Sequence, residues 1–218
     1  MTKLRLIFSV EEEALVNEDL YINKDLLNSI AMILTNLRNS DKEILLVTAG
    51  AIVSGIEQLK LQSQPKSLSE KQAIAAIGQV ELIKRYQNLF DEYTQMVAQV
   101  LLARDIIRNP KQQKNARNTF RKLVSLGIIP IINENDTIST ADIEEENNYF
   151  LTATVANIID ADAVIRINKD LSFSVLVKGN VQCVFCANKE ELFALCESLK
   201  VEELRKGAWR YPDEFPVG

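Results

Sequence analysis

The sequence predicts an α/β fold built on a mainly parallel central sheet. Short apolar runs typical of buried strands alternate with amphipathic helical patterns through the first 168 residues, and that alternation favours parallel strands covered by helices. Hydrophobic residues make up 47% of the 218-residue chain, which is enough for a substantial core. Because no internal repeat or linker-like stretch interrupts the pattern, we expect one domain.

The predicted strands are short apolar runs that end at polar or turn-forming residues. The run that ends at Ile132 is rich in isoleucine and is followed at once by the polar residues 133–136. A run of this kind indicates a strand buried on both faces of a parallel sheet. The predicted strands span residues 4–8, 43–48, 96–102, 128–132, 163–168, 173–177 and 181–185.

The predicted helices carry apolar residues at helical spacing. Asn23 and Ser69 are of the types that cap helix N-termini, and Gly127 is of the type that ends a helix. Residues 104–114 form a basic stretch interrupted by Pro110, which we interpret as a solvated loop, with an anion-binding loop as the alternative. The predicted helices span residues 23–37, 69–90, 115–126, 151–159 and 189–206, with a further helical pattern from residue 52.

Charge and composition exclude several classes of function. The net charge is −5 and the isoelectric point is near 5.0, which argues against a nucleic-acid or anionic-membrane partner. No apolar run approaches the roughly 18 residues of a membrane span, and the N-terminus lacks the apolar core of a signal peptide. Because the chain has no histidine, imidazole catalysis and histidine-ligated metals are excluded. The three cysteines, few and odd in number, favour reduced thiols in a cytoplasmic protein.

Two features predict a ligand site at one edge of the sheet. In open α/β sheets, ligands bind in the crevice outside the carboxyl ends of the strands, and residues 133–136 follow such an end. Ala49, Gly50 and Ala51 follow another predicted strand and lead into a helical pattern, which leaves backbone N–H groups free for an anionic ligand. The alternative for the polar cluster is an ordinary exit from strand to loop, because Asn and Asp favour turns.

Three further features have plain structural interpretations. Cys183 and Cys186 have the spacing of a redox or metal pair, but without a second pair or a histidine we favour buried thiols on a strand. The acidic residues 144–146 are more typical of a solvated loop than of a metal site. Trp209 and Tyr211 are expected to dock on the body of the domain rather than to bind a ligand.

A series of motifs in the middle of the chain resembles one known family. Residues 47–52 read Val-Thr-Ala-Gly-Ala-Ile, with Gly55 close behind, and residues 71–79 read Lys-Gln-Ala-Ile-Ala-Ala-Ile-Gly-Gln. The matches that follow in order are Asn115-Ala-Arg117, Thr119, Ile129-Pro130, Ile132-Asn-Glu-Asn-Asp136, Thr140-Ala141 and Ala161-Asp162. Together they cover about residues 40–165 and resemble the glutamate 5-kinase branch of the amino-acid kinase family.

The resemblance implies a three-layer αβα sandwich and an ATP-dependent transfer of phosphate to the γ-carboxylate of glutamate, the first step of proline biosynthesis. Residues 1–165 would be the amino-acid-binding part, and residues 166–218 a shortened remnant of the nucleotide-binding part. The substrate-binding residues it implies for L-glutamate or L-proline are Ala49, Gly50, Ala51, Asn133, Asp136 and Asn148.

The chain departs from the family pattern where phosphate would be handled. The family's first strand, V-V-K-x-G-S-S, aligns with residues 4–10 so that Leu6 replaces the catalytic lysine and Phe8 replaces a glycine, and a shift by one residue brings Arg5 to the lysine position. Ala49 replaces a serine and Tyr149 an aspartate. Residues 167–173 replace the T-D-x-x-G-L-Y motif of the nucleotide half. Phosphoryl transfer depends on positive charge around the moving group, so we expect no catalytic residues, no metal site and no cofactor.

Three functional hypotheses follow from this pattern. The first is a family member without phosphotransfer activity, in effect a pseudokinase, that binds glutamate or proline. The second is an active glutamate 5-kinase that uses ATP and Mg²⁺, with Arg5 or Lys169 supplying the missing charge. The third is an interaction protein, a homo-oligomer or a partner of an intact homologue, whose contact surface includes the helix at residues 72–79.

Overall fold

The computed structural model describes residues 3–17, 21–103, 106, 109–138, 148–180 and 182–209. The predictions for residues 140–141, 144–146 and Tyr211 therefore concern residues outside those described. The strands are β1 (Arg5–Val10), β2 (Glu43–Thr48), β3 (Val97–Leu102), β4 (Ile129–Glu134), β5 (Ala163–Ile167), β6 (Phe173–Val177) and β7 (Cys183–Cys186). The helices are α1 (Glu12–Leu15), α2 (Lys24–Asn39), α3 (Ala51–Leu59), α4 (Leu68–Asp91), α5 (Pro110–Ser125), α6 (Tyr149–Ile159), α7 (Lys189–Ser198) and α8 (Val201–Leu204).

The strands form one sheet in the order β3-β4-β2-β1-β5-β6-β7. The first five of these are mutually parallel, and β6 and β7 are antiparallel to their neighbours. The mainly parallel sheet predicted from the sequence is therefore confirmed. Because parallel neighbours point the same way, the carboxyl ends of β1, β2, β4 and β5 lie along one edge.

Helices cover both faces of the sheet, as in the expected three-layer arrangement. Side chains alternate along a strand, so Leu6 and Phe8 of β1 pack with α2 and α4, whereas Ile7 packs with α5 and α6. The first core also includes residues of α3 and α7, and the second includes Phe120 of α5. Two separate apolar cores, one on each side of the sheet, hold the strands in register.

The starts of α4 and α5 differ from the predictions, each for a local reason. Ser67, not Ser69, is the N-cap of α4, because Ser67 and Glu70 form a reciprocal capping box. Pro110 does not interrupt a loop but occupies the first position of α5, after the N-cap Asn109. That position needs no backbone donor, so proline fits it. The basic stretch is therefore in large part the first turns of a helix.

The C-terminal part of the described chain is tied to the amino ends of β1 and β5. The buried carboxylate of Asp162 accepts hydrogen bonds from the Arg5 amide at 2.8 Å and from Arg205 Nε at 3.2 Å. The Trp209 indole donates to the Ala161 carbonyl at 3.0 Å, so the expectation that Trp209 docks on the body is confirmed. Among the described residues, no helix is both long and apolar enough to cross a membrane.

Candidate functional site

The candidate site is the crevice at the carboxyl edge of the parallel strands. The register places Val10, the last residue of β1, beside Thr48 of β2 and Ile167 of β5. On the next strand, Ile132 lies beside Val47, so Asn133 emerges one step further along. The predicted residues from three distant parts of the chain therefore arrive at the same edge, as the general rule for open sheets predicts.

The Gly50 turn joins β2 to α3. Gly50 adopts a φ of 95°, a left-handed conformation that glycine accepts most easily, and it allows α3 to begin directly at Ala51. The N-terminal N–H groups of α3 have no earlier carbonyl partners within the helix, so they form a partial positive charge at the crevice. This is the chemistry that a ligand carboxylate would use. Ala49, half-buried between Thr48 and Gly50, offers no hydroxyl.

A close helix crossing fixes this turn from below. A Cβ on Gly78 of α4 would lie 1.8 Å from the Ala51 carbonyl oxygen and 2.3 Å from the Gly55 amide nitrogen, so only glycine fits. Beneath the turn, the Tyr86 and Thr48 hydroxyl oxygens lie 2.7 Å apart in a fully buried pair. Burial raises the pKa of Tyr86, which keeps its phenol neutral. The family-like sequence of residues 71–79 therefore positions the first turn of α3.

Asn133 lies at the end of β4 and is 4% exposed. Its side-chain nitrogen donates to Gln79 Oε1 of α4 at 2.8 Å, and its side-chain oxygen accepts from the Glu134 amide at 2.8 Å. One N–H and further lone-pair capacity of the amide remain for a ligand. Asp136 lies in the turn that follows, half-buried. Gln79 is a site residue that the sequence reasoning missed as an individual contact.

Asn148 closes the crevice on the β1 side. Its side-chain nitrogen donates to the Val10 carbonyl at 3.0 Å, and its backbone amide donates to Glu11 Oε2 at 2.9 Å. Although Asn148 stands at the N-cap position of α6, its side chain makes no capping bond to that helix. The structure thus places Asn148 at the crevice, where its side chain binds the end of β1.

A polar cluster around Glu11 was not predicted as part of the site. The Thr152 hydroxyl donates to Ser9 Oγ at 3.0 Å, and Ser9 donates to Glu11 Oε1 at 3.4 Å. Burial raises the pKa of Glu11, against the lowering effects of its hydrogen bond from Asn148 and of the nearby Arg166 charge. The signal that could have found the cluster is the position of Ser9 and Glu11 directly after an apolar run.

A model of the amino acid kinase family matches residues 13–169. The chain belongs to the amino acid kinase family. The matched segment of this family member contains the Gly50 turn, Asn133 and Asn148. Ser9 and Glu11, which also reach the carboxyl edge, precede the matched segment.

This family member is similar to several proteins named glutamate 5-kinase. It is 40% identical over 168 residues to that of Listeria innocua serovar 6a, with 75% of this chain and 61% of the other covered. It is 38% identical over 168 residues to that of Enterococcus faecalis, with 75% and 62% covered, and 38% identical over 165 residues to that of Clostridium perfringens, with 74% and 61% covered. The chain spans about three fifths of the length of these relatives.

The structure changes the alignment of β1 in this family member. Leu6 and Phe8 are fully buried within the strand, and β1 continues to Val10. The residues that reach the crevice are therefore Ser9 and Glu11, so assigning Leu6 to the lysine position and Phe8 to the glycine position was wrong. The cause is the underestimated length of the strand, which moved the predicted exit from Glu11 back to Phe8.

Of the two cations named as substitutes for the missing lysine, Arg5 lies away from the crevice, whereas Lys169 follows the carboxyl end of β5. Arg5 is at the opposite end of β1, about 17 Å from its exit at roughly 3.3 Å per residue, and its guanidinium pairs with Glu43 at 2.7 Å. Lys169 is exposed in the turn between β5 and β6. Arg166 of β5 is the neighbouring cation whose charge acts on Glu11. Tyr149 is the first residue of α6.

The cysteines of this family member have the surroundings of structural thiols. Cys186 and Cys196 are buried, and Cys183, three residues before Cys186 on β7, lies on the other face of the strand. Burial raises the pKa of all three thiols, which opposes thiolate formation. Within the ranges that the structure describes, no cluster of acidic or cysteine side chains could hold a metal ion.

A cleft of about 290 Å³ lies at the opposite, amino-terminal edge of the sheet. Its cations are already paired: Lys3 with Asp41 at 2.5 Å, and Lys42 with Glu197 at 2.6 Å. Arg38 donates to the Gly127 carbonyl at 3.2 Å and so caps the end of α5. We therefore assign this cleft a structural role and place the candidate site at the carboxyl edge.

Proposed function

We propose that this protein binds an amino acid, L-glutamate or L-proline, in the carboxyl-edge crevice and does not transfer phosphate. The observation that carries the proposal is the distribution of charge in the crevice. The start of α3 offers backbone N–H groups to a carboxylate, whereas the end of β1 offers the carboxylate of Glu11 rather than a cation. One side of the crevice therefore suits an amino acid, and the other side opposes the charge of a transferring phosphoryl group.

The binding half of the proposal rests on a site that is held in place before ligand arrives. The Gly50 turn is supported by the α3–α4 crossing, and Asn133 is oriented by Gln79. Side chains held by other contacts lose little conformational freedom on binding, which favours affinity. In this proposal Asn133, Asp136 and Asn148 supply polar contacts to the ligand, and the Gly50 turn receives its carboxylate.

We also propose that the crevice does not take a magnesium nucleotide. The support is the Glu11 carboxylate, which stands at the end of β1 and would repel a phosphate group. The division into an amino-acid part (residues 1–165) and a shortened nucleotide part (residues 166–218) belongs to this proposal, as do the pseudokinase role and a place in the cytoplasm.

Calorimetric titration tests the binding half directly. We expect heat from L-glutamate or L-proline at millimolar concentration or below, and a weaker response from Asn133→Ala. Asn157→Ala is a matched control, because Asn157 is exposed and its side chain binds only its own helix at the Ala153 carbonyl among the contacts described. The absence of heat from both amino acids at millimolar concentration contradicts this half.

An active glutamate 5-kinase is the second candidate, favoured by the 40% identity to proteins of that name and by the charge of Arg166 near Glu11. Incubation with ATP, Mg²⁺ and L-glutamate, with ADP release as the readout, separates the two. If ADP is released no faster with glutamate than in the control without glutamate, the result supports a binding protein without phosphotransfer activity. Release that depends on glutamate supports the kinase, and its loss in Arg166→Gln would assign the compensating charge to Arg166.

An assembly role is compatible with either activity, and we propose that α4 contacts a second copy of the chain or an intact homologue. Val80 and Ile77, one helical turn apart on this helix, are 67% and 40% exposed. Exposed apolar side chains on one helix face are typical of subunit contacts. Their surface is separate from the buried face of α4 that supports the Gly50 turn.

A further inference from the structure

Two helices begin at the crevice, and each brings a partial positive charge to it. Helix α3 begins at Ala51 and α6 begins at Tyr149, next to the exit of β1. The N-terminal N–H groups of a helix attract anions, since they lack partners within the helix and lie at the positive end of the macrodipole. A ligand with two anionic groups could in principle use both helices.

Glu11 already occupies the α6 end. Its Oε2 accepts the N–H of Asn148 at 2.9 Å, and no side-chain bond from Asn148 itself caps the helix. Its Oε1 accepts from Ser9, which in turn accepts from Thr152 in the first turn of α6. The carboxylate is therefore anchored between β1 and α6 by both of its oxygens, and it is not an exposed side chain that a ligand could simply push aside.

We infer that Glu11 is an internal anion that fills the α6 end of the crevice, so that the crevice accepts a ligand with one anionic group at α3 and rejects a polyphosphate. This inference rests on the proposed function and adds to it a preference for ligands with one anionic group over polyphosphates. A polyphosphate that reached α6 would meet a fixed negative charge, and water screens that charge less than on an open surface because Glu11 is half-buried. Arg166 offsets this charge in part, and within the described residues it makes no close ion pair with Glu11.

Titration with inorganic pyrophosphate at constant ionic strength tests the inference. Glu11→Ala removes the internal anion and frees the Asn148 amide, so we expect pyrophosphate to bind at least about tenfold more tightly than to the unmodified protein. Glu11→Gln removes the charge but keeps the shape, so we expect a smaller gain, and it serves as the second variant if Glu11→Ala does not fold. Glu13→Ala is the matched control, because Glu13 is an exposed acid of the same turn and its removal changes the net charge equally.

The inference is overturned if the unmodified protein binds pyrophosphate as tightly as Glu11→Ala, if neither Glu11 variant gains affinity, or if Glu13→Ala gains as much as they do. Glutamate titration of the same samples keeps the two questions apart. A gain in pyrophosphate affinity without any glutamate binding would support the role of Glu11 and contradict the proposed amino-acid function. Glutamate binding without a gain in pyrophosphate affinity would support the proposed amino-acid function and contradict the role of Glu11.

Discussion

The side-chain nitrogen of Asn133 lies 2.8 Å from Gln79 Oε1 and donates a hydrogen bond that joins β4 to α4. Replacing Gln79 by Ala should leave a buried donor unpaired, at a cost of about 1–3 kcal/mol in the free energy of unfolding. It should also weaken amino-acid binding, because Asn133 loses its orientation. Denaturant unfolding and calorimetry measure the two effects.

The control for that change is Gln87→Ala, at an exposed position of the same helix. We expect it to stay within about 0.5 kcal/mol of the unmodified protein and to leave amino-acid affinity unchanged. Equal behaviour of the two variants would mean that the Asn133–Gln79 bond does not organise the site.

Gly78→Ala should be strongly destabilising although alanine favours helices. The added methyl group would lie 1.8 Å from the Ala51 carbonyl oxygen, a backbone atom that cannot move without shifting α3. We expect a loss of at least about 2 kcal/mol, measured as a lower midpoint of thermal unfolding, together with weaker ligand binding. Ala76→Gly, at an exposed position of α4, should cost only about 1 kcal/mol, and a similar cost for both variants would count against the tight crossing.

Glu11→Gln should change how stability depends on pH. Burial raises the pKa of Glu11 in the folded state, so the folded protein holds this proton more tightly than the unfolded chain, and stability falls as pH rises through the folded-state pKa. Relative to the unmodified protein, Glu11→Gln should therefore gain stability as the pH rises above about 4.3, the ordinary pKa of a glutamate side chain. Urea unfolding at several pH values gives the difference.

Asp170→Asn is a control in which the change of stability with pH should have the opposite sign. Hydrogen bonds from the Ser172 hydroxyl and amide lower the pKa of Asp170, so the contribution of its charge is present near neutral pH and is lost as pH falls. The Asn variant should lose stability at neutral pH relative to acidic pH. The account of Glu11 fails if Glu11→Gln follows this second pattern.

Val80→Asp should reduce the molecular mass in solution if α4 pairs subunits, with little effect on the stability of the monomer, because Val80 is 67% exposed. Light scattering measures the mass, alone and in mixture with an intact homologue. Leu126→Lys is the control, since Leu126 is 58% exposed at the other edge of the sheet. A strict monomer for the unmodified protein in both conditions would contradict the assembly role.

The sequence predicted well those strands and helices whose ends are determined by a few neighbouring residues. Strand β2 has the predicted bounds because its apolar run is flanked by Glu43 and the small residues after Thr48. Asn23 caps α2 as predicted, with its side chain accepting from the Leu26 amide. Ser67 and Ser69 were harder to separate, because both precede the same helical pattern and only the reciprocal bond with Glu70 distinguishes them.

Sequence reasoning named candidate site residues whose type alone suggests a role, and it passed over residues whose role depends on three-dimensional contact. Gly50 could be placed at a strand-to-helix turn from its neighbours in the sequence. The role of Glu11 depends on contact with Asn148, which is distant in the chain, and on the true exit of β1 at Val10. The sequence placed the end of β1 at Phe8, two residues too early, so the residues that follow the true end of the strand were not considered for the site.

The pairing of β1 has a consequence for the order of folding. Its two neighbours are β2, which follows early in the chain, and β5, where Leu6 lies beside Ala163. Closing so long a loop is entropically costly and slows folding, so the N-terminal strand must wait for a late part of the chain before it is paired on both sides. The contact between Asn148 and Glu11 joins residues 137 positions apart, so we expect the crevice to form late in folding.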